Sequence, residues 1–252
     1  MSKLIYAFVA SKSSTAELSL ILKCMRSISG TKLAAIPVKG VTAIVSDLSR
    51  KELVADKLSA IAYAGIIEEL AKSFTVIPVR FPSFLGTSTE VEELIVRNLE
   101  GIRANLNNIE NRAEFGLKIF CDKNVLKETL WLKGKEGEKK QEDLESNTGR
   151  PSVYREWVDK KLKEYQLEEH VTSFVNSIVT VIIDSVTPIE AGCKFRKMVS
   201  ETLVLDAIFL IHKKDKSILV EMVKALEIQF NLLTFILTGP WPAYSFVDFT
   251  VK

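Results

Sequence analysis

Residues 32–46, KLAAIPVKGVTAIVS, decide how the first half of this chain folds. Two short runs, Lys32–Pro37 and Val41–Ser46, flank Val38-Lys39-Gly40, and the glycine supplies the positive φ that a tight hairpin turn requires. Upstream, Leu4–Ala10 (LIYAFVA) has the length and β-branched content of a buried first strand. Ser11–Gly30 follows, Ser-rich and then weakly helical through Leu18–Met25. Downstream, Lys51–Lys72 reads as a helix capped by Asp47 or Ser49, with Leu58, Ile61, Ala64, Ile67 and Leu70 among its apolar positions. Phe74–Val79 is a compact strand that Pro78 places at an edge or an end.

Thr89 and Glu92 fit a capping box, and Val91, Ile95, Leu99, Ile102, Leu106 and Ile109 then form one continuous apolar stripe. Glu114–Cys121 (EFGLKIFC) is the next strand. Strand, two strands, helix, strand, helix, strand is a split βαβ, ferredoxin-like order with an extra hairpin strand. The pattern then breaks at 134–150 (GKEGEKKQEDLESNTGR), a charged run too poor in large apolar residues to offset its ordering entropy, expected to be a mobile loop. Ser152–Glu169 is a charged helix. Val171, Phe174, Val175, Ile178, Val179, Ile182 and Ile183 keep a helical period although most are β-branched, and the period decides for helix. Cys193–Val199 and Thr202–His212 are expected strands, Lys216–Phe230 a helix and Leu232–Leu237 the last strand. The domains expected are 1–123 and 124–252, both α+β.

A chain of 252 residues with 47% hydrophobic and 26% charged residues suits a soluble globular protein. Its net charge of +2, with both signs mixed along the chain, leaves no electrostatic footprint for nucleic acid or an anionic membrane. Cys24, Cys121 and Cys193 are scattered and odd in number, which points to reduced thiols in the cytoplasm. MSKLIYAFVASKSS faintly imitates a signal peptide, but Tyr6 and Phe8 with their β-branched neighbours suit a core strand better. No stretch approaches the ~20 apolar residues of a membrane span.

Catalytic chemistry leaves no trace. His170 and His212 lack metal-ligand spacing, and neither GxSxG nor a post-strand GxGxxG occurs, so no catalytic residue, cofactor site or metal site is assigned. Asp184, Glu190 and Asp206 read as boundary or solvent-facing charges. Arg80, between Ile77-Pro78-Val79 and Phe81-Pro82, leaves a strand at a rigid corner, where it either anchors a carboxylate or closes an internal salt bridge. The tail TGPWPAYSFVDFTVK, 238–252, is the other feature. Pro240 should end ladder hydrogen bonding, and Pro242 should hold Trp241 extended. Tyr244 and Phe246 should then project to one side and Phe249 to the other. The cluster is either a core plug or an aromatic contact surface.

The tail LTGPWPAYSFVDF, 237–249, resembles the C-terminal signature of the gas vesicle protein F/L family. KLIYAFVA, VTAIVS, FTVIPVRF and AIFLI are similar to the family's other elements, in the same order. Pro82 replaces a usual Gly, Ala243 a usual second Pro, and Tyr63 a frequent His. The resemblance implies two modified ferredoxin-like α+β domains, the second with additional helices. It implies a non-enzymatic accessory or minor structural protein in the cytoplasm, associated with the gas vesicle. Its partners would be the hydrophobic major shell protein and other accessory proteins, and neither nucleic acid nor lipid. Gly239, Pro240, Trp241, Pro242, Tyr244, Phe246, Arg80 and Phe81 are the motif residues expected to serve that contact or the local structure. The alternative is a small-molecule sensor or enzyme with its ligand near Arg80.

Overall fold

The structure, a computed structural model, describes residues 2–10, 15–122, 125, 153–197, 200 and 202–247. The expected charged loop at 134–150 and Phe249 lie outside them. The architecture is mixed helix and sheet with two antiparallel sheets. The chain divides into two compact units, one formed by Met1–Phe115, Leu210–Lys214 and Gly239–Lys252, the other by Gly116–Phe209 and Asp215–Thr238.

In the first unit, β1 (Lys3–Ala10) is followed by α1 (Thr15–Cys24), β2 (Leu33–Val38) and β3 (Val41–Asp47). The hairpin is tighter than the sequence reading suggested. Val38 pairs with Val41, and Lys39 and Gly40 alone turn the chain, with φ of 45° and 85°. Two successive positive φ values match the right-handed twist of the flanking strands. Then come α2 (Lys57–Ser73), β4 (Val76–Pro78), β5 (Phe84–Leu85), α3 (Ser88–Arg97), α4 (Leu99–Ile109) and β6 (Arg112–Phe120). The strands run in the order β2-β3-β1-β4, with β5 also paired to β1.

β1 is buried from Leu4 to Val9 because helices cover both faces of its sheet. Leu4, Tyr6, Ala7 and Val9 pack with Leu18 and Leu22 of α1 and with Tyr63, Ile67 and Leu70 of α2. Ile5 and Phe8 pack on the other side with Val91 and Ile95 of α3 and Ile102, Leu106 and Ile109 of α4. Simple alternation would separate Tyr6 from Ala7. A bulge does otherwise: Ile5 pairs with Val45 and Ala7 with Ile44, so Tyr6 is the extra residue and shares Ala7's side.

Several helix boundaries differ from expectation for local reasons. α2 is capped by Asp56, whose carboxylate accepts from the Ser59 N–H at 2.8 Å, rather than by Asp47 or Ser49. Its inner face therefore carries Tyr63, Ile66, Ile67 and Leu70, while Leu58 and Ile61 are exposed. The capping box is Thr87 with Glu90: Thr87 Oγ1 accepts from the Glu90 N–H at 3.1 Å, and Glu90 Oε2 accepts from the Gly86 N–H at 2.8 Å. The single stripe expected from Val91 to Ile109 is two helices. Asn98 breaks it, its side-chain amide donating to the Leu94 carbonyl at 2.8 Å.

The second unit holds α5 (Val153–Val186), β7 (Gly192–Lys197), α6 (Lys216–Gln229) and most of β8 (Leu203–His212) and β9 (Thr234–Trp241). The second sheet runs β7-β8-β6-β9. The two expected helices at 152–183 are one, and, against the expectation that no stretch would reach a membrane span, the 22 residues Glu168–Ile189, its C-terminal part and the turn after it, match one in length and composition. The pattern is nevertheless two-faced. Val171, Val175, Ile178, Val179, Ile182 and Val186 are buried, whereas Thr172, Asn176, Thr180 and Asp184 face out. Phe174 meets Phe230 edge to face at 5.7 Å. Hydroxyls of Thr172, Thr180 and Ser185 donate to carbonyls one turn back, at 2.8, 3.1 and 2.8 Å, which meets their hydrogen-bonding needs on the helix itself.

Tyr63 ties the core of the first unit together. Its hydroxyl points at the carbonyls of Ile5 (2.7 Å) and Val79 (2.9 Å), and its ring stacks on Tyr6 at 4.9 Å. Burial, reinforced by Tyr6 and Tyr244, pushes its phenol far above the ordinary tyrosine range. Tyr63→Phe keeps the ring and orphans buried acceptors, so stability should fall by about 1–3 kcal/mol. A urea titration reads this as a lower midpoint at unchanged slope, and an unchanged midpoint would refute it.

Candidate functional site

The C-terminal segment departs from its expected geometry in two ways. β9 does not stop before Pro240 but continues to Trp241. An edge position explains this, since β9 ends its sheet and a proline there leaves no inward N–H missing. Gly239 makes the passage possible. Its φ is +107°, and a Cβ there would lie 2.7 Å from the Glu114 carbonyl oxygen and 3.1 Å from Phe115 Cδ1.

After Pro242 the chain turns rather than staying extended, so Tyr244 and Phe246 do not share a side. The Tyr244 N–H donates to the Pro242 carbonyl at 2.7 Å and the Phe246 N–H to the Ala243 carbonyl at 3.3 Å. Ala243 is buried, and Phe246 and Val247 pack against the same cluster as β1 and α3. The buried Glu114 carboxylate pins the turn, accepting from the Ser245 N–H at 2.7 Å and from its hydroxyl at 3.0 Å. Trp241 and Tyr244 remain 41% and 43% exposed. The segment thus divides its labour: Ala243, Phe246 and Val247 hold it down, while Trp241 and Tyr244 keep free ring surface. Partial burial, then the nearby Glu68 and Glu114 charges, push the Tyr244 phenol up to about 12.

Beside Trp241 is a cavity of about 430 Å³. Pro240–Ala243 form one wall; Phe74 and Val76 after α2, with Ile109 and Ala113, supply apolar surface. Lys72, Arg112 and Lys213 bring positive charge and Glu68 negative charge. Lys72 pairs with Glu69 at 2.5 Å, and Lys213 Nζ donates to the Ala71 carbonyl at 3.1 Å. Lys213 is placed by its own N–H, which donates to the carbonyl of Asn111 at 2.9 Å.

The other expected residues lie elsewhere. Arg80 is exposed and makes no salt bridge among the described residues; its carbonyl accepts from the Ser83 hydroxyl at 2.6 Å. Phe81 packs beside Tyr63 with ring centroids 5.0 Å apart. Asp206, expected to be a solvent-facing charge, is 4% exposed and ion-paired to Arg196 across β7 and β8. Its position on a strand between apolar neighbours carried no signal of a cross-strand arginine. Sequence reasoning also missed Glu114, Arg112 and Lys213, because each gains its role from a segment remote in sequence. No group of three His, Cys, Asp or Glu side chains suited to a metal occurs among the described residues.

Comparison with known proteins places this geometry in a family. The family model described as gas vesicle synthesis protein GvpL/GvpF matches residues 2–248. The chain is similar to gas vesicle protein F1 of Halobacterium salinarum, 20% identical over 216 residues that cover 84% of this chain and 80% of that protein. It is likewise similar to gas vesicle protein L1 of the same organism, 23% identical over 228 residues, 84% of this chain and 79% of that one. Among solved structures, GvpF from Anabaena sp. PCC7120 matches with a TM-score of 0.79 at 17% identity, covering 99% of both chains. GvpF from Microcystis aeruginosa matches with a TM-score of 0.75 at 16% identity, covering 98% of this chain and 99% of that one. At such identities these two likenesses establish the shared fold.

Two measurements check the geometry. Gly239→Ala must place a Cβ against backbone at positive φ, which should cost about 1–3 kcal/mol in a denaturant titration; wild-type stability would refute the strand path. The folded pKa of Tyr244 lies above the unfolded value of 10.0, so its contribution to stability is whole below pH 10.0 and is lost as pH rises through about 12. Tyr6 and Tyr63 shift the same way. Tyr244→Phe should therefore flatten, not abolish, the alkaline loss of stability, and an identical slope would count against the phenol's placement.

Proposed function

Because the chain belongs to the gas vesicle synthesis protein GvpL/GvpF family, we propose that it is a non-enzymatic accessory or minor structural protein of gas vesicle assembly. In this reading it binds the hydrophobic major shell protein in the cytoplasm and stays associated with the vesicle, with other accessory proteins as further partners. The observation that carries the reading is Trp241. It is the family signature's tryptophan, locked between Pro240 and Pro242, anchored through Ser245 and Glu114, yet 41% exposed.

The physical mechanism is burial of apolar surface. An aromatic side chain on a fixed backbone loses little conformational freedom on contact, and aromatics supply much of the energy of interfaces. Covering the exposed part of one tryptophan contributes on the order of 2 kcal/mol. Exposed Leu58 and Ile61 on α2 offer additional apolar contact in the same unit. The near-neutral net charge of +2 favours a protein partner over nucleic acid or an anionic lipid surface.

The strand order β2-β3-β1-β4, with α1 and α2 on one face, supports a modified ferredoxin-like reading of the first unit. The modification is α3 and α4 on the other face.

The test is capture of purified shell protein by this chain, together with vesicle counts in cells lacking it. Trp241→Ala should reduce capture at least several-fold while circular dichroism stays unchanged. Normal vesicles in the deleted cells, or no capture by the wild-type chain, would sink the proposal.

A further inference from the structure

The groove beside Trp241 has a charge pattern that apolar contact alone does not explain. Of its three cations, two are already engaged. The C-terminal end of α2 exposes carbonyls and the negative end of a helix dipole, and cations are favoured there. Lys72 lies in that last turn with Glu69, and Lys213 reaches the Ala71 carbonyl. Arg112 is different. It lines the groove half-buried, and its guanidinium has no hydrogen bond or ion pair among the described residues. A guanidinium offers five donors in a planar fork that matches a carboxylate, and partial burial strengthens such a pair. Glu68, the one acid in the lining, bears on the Tyr244 phenol.

We infer that this groove takes an extended protein segment carrying a carboxylate side chain between apolar ones, with Arg112, seconded by Lys213, receiving the carboxylate and the exposed Trp241 and Pro240 packing on the apolar neighbours. Charge complementarity argues for the acidic side chain. The volume argues for a segment: about 430 Å³ holds a few side chains, not a folded surface. The exposed apolar rim of Trp241 and Pro240, over a floor of the buried Phe74, Val76 and Ile109, argues for side chains that a small free anion lacks. The two cationic positions are also held in place beforehand. Arg112 follows Asn111, whose φ of 57° turns the chain and whose carbonyl receives the Lys213 N–H. The inference rests on the assembly reading above and specifies what the shell protein must present.

The test uses the full chain and two fluorescein-labelled hexapeptides, ILEVLE and ILKVLK, titrated by fluorescence anisotropy. The acidic peptide should bind at least tenfold more tightly than the basic one. Arg112→Glu should reverse that preference, and Arg112→Gln should lose it while thermal unfolding stays near wild type. Equal binding of both peptides, or a preference untouched by Arg112→Glu, would overturn the inference. Displacement of ILEVLE by millimolar acetate would also overturn it, by reducing the site to one for small anions. Capture of the shell protein separates the two proposals. Wild-type capture by a peptide-reversed Arg112→Glu chain refutes a role for this groove in that contact and leaves the assembly role standing. Failure of capture by the wild-type chain refutes the assembly role itself.

Discussion

A strand without solvent on either side forces everything around it. Leu4–Val9 of β1 is wholly buried, so every second residue on each face needs an apolar partner and every backbone group needs a ladder or its substitute. The ladder comes from β3 on one edge and from the short β4 and β5 on the other. Beside the bulge at Tyr6, the Val79 N–H extends the β4 pairing to the Tyr6 carbonyl, and the Tyr63 hydroxyl meets the Ile5 carbonyl. The two faces are closed by different helix pairs, α1 with α2 and α3 with α4. Asn98 divides the second pair, so that α3 lies against β2 and β5 and α4 against β1, β3 and β4.

Glu114 does for the C-terminal segment what Tyr63 does for β1. A buried carboxylate is tolerated only when donors meet its oxygens, and Ser245 gives both its N–H and its hydroxyl. That arrangement fixes a turn, and the turn decides which aromatic rings are covered. Phe246 goes inward, and Trp241 and Tyr244 keep exposed surface. Ala243 is a buried side chain small enough for its site. Tyr63 is a structural phenol whose hydroxyl is held by backbone acceptors.

Much of the order of elements was legible. The glycine turn of the β2–β3 hairpin, the helical period of Val171–Ile182 and the long apolar run of β8 are local signals, and each marks an element of the structure. Boundaries were less legible where three caps competed. Asp47, Ser49 and Asp56 all have capping side chains, and only the burial of Tyr63, Ile66 and Ile67 selects Asp56. The path of β9 through Pro240 was illegible for another reason: a proline ends a ladder only where its N–H would have been used, and edge position is a tertiary property.

Residue types and spacing by themselves determined an α+β chain whose motifs carry no catalytic constellation, together with the terminal signature that marks its family. Local physics suffices for these, because turn φ and helical period act over a few residues. Only the tertiary structure decided that Trp241 is half-exposed, that Arg112 and Lys213 stand beside it, and that Glu114 anchors the turn. Those contacts join positions more than a hundred residues apart, such as Glu114 and Ser245, and no periodicity or spacing within the chain encodes which remote segment will face which.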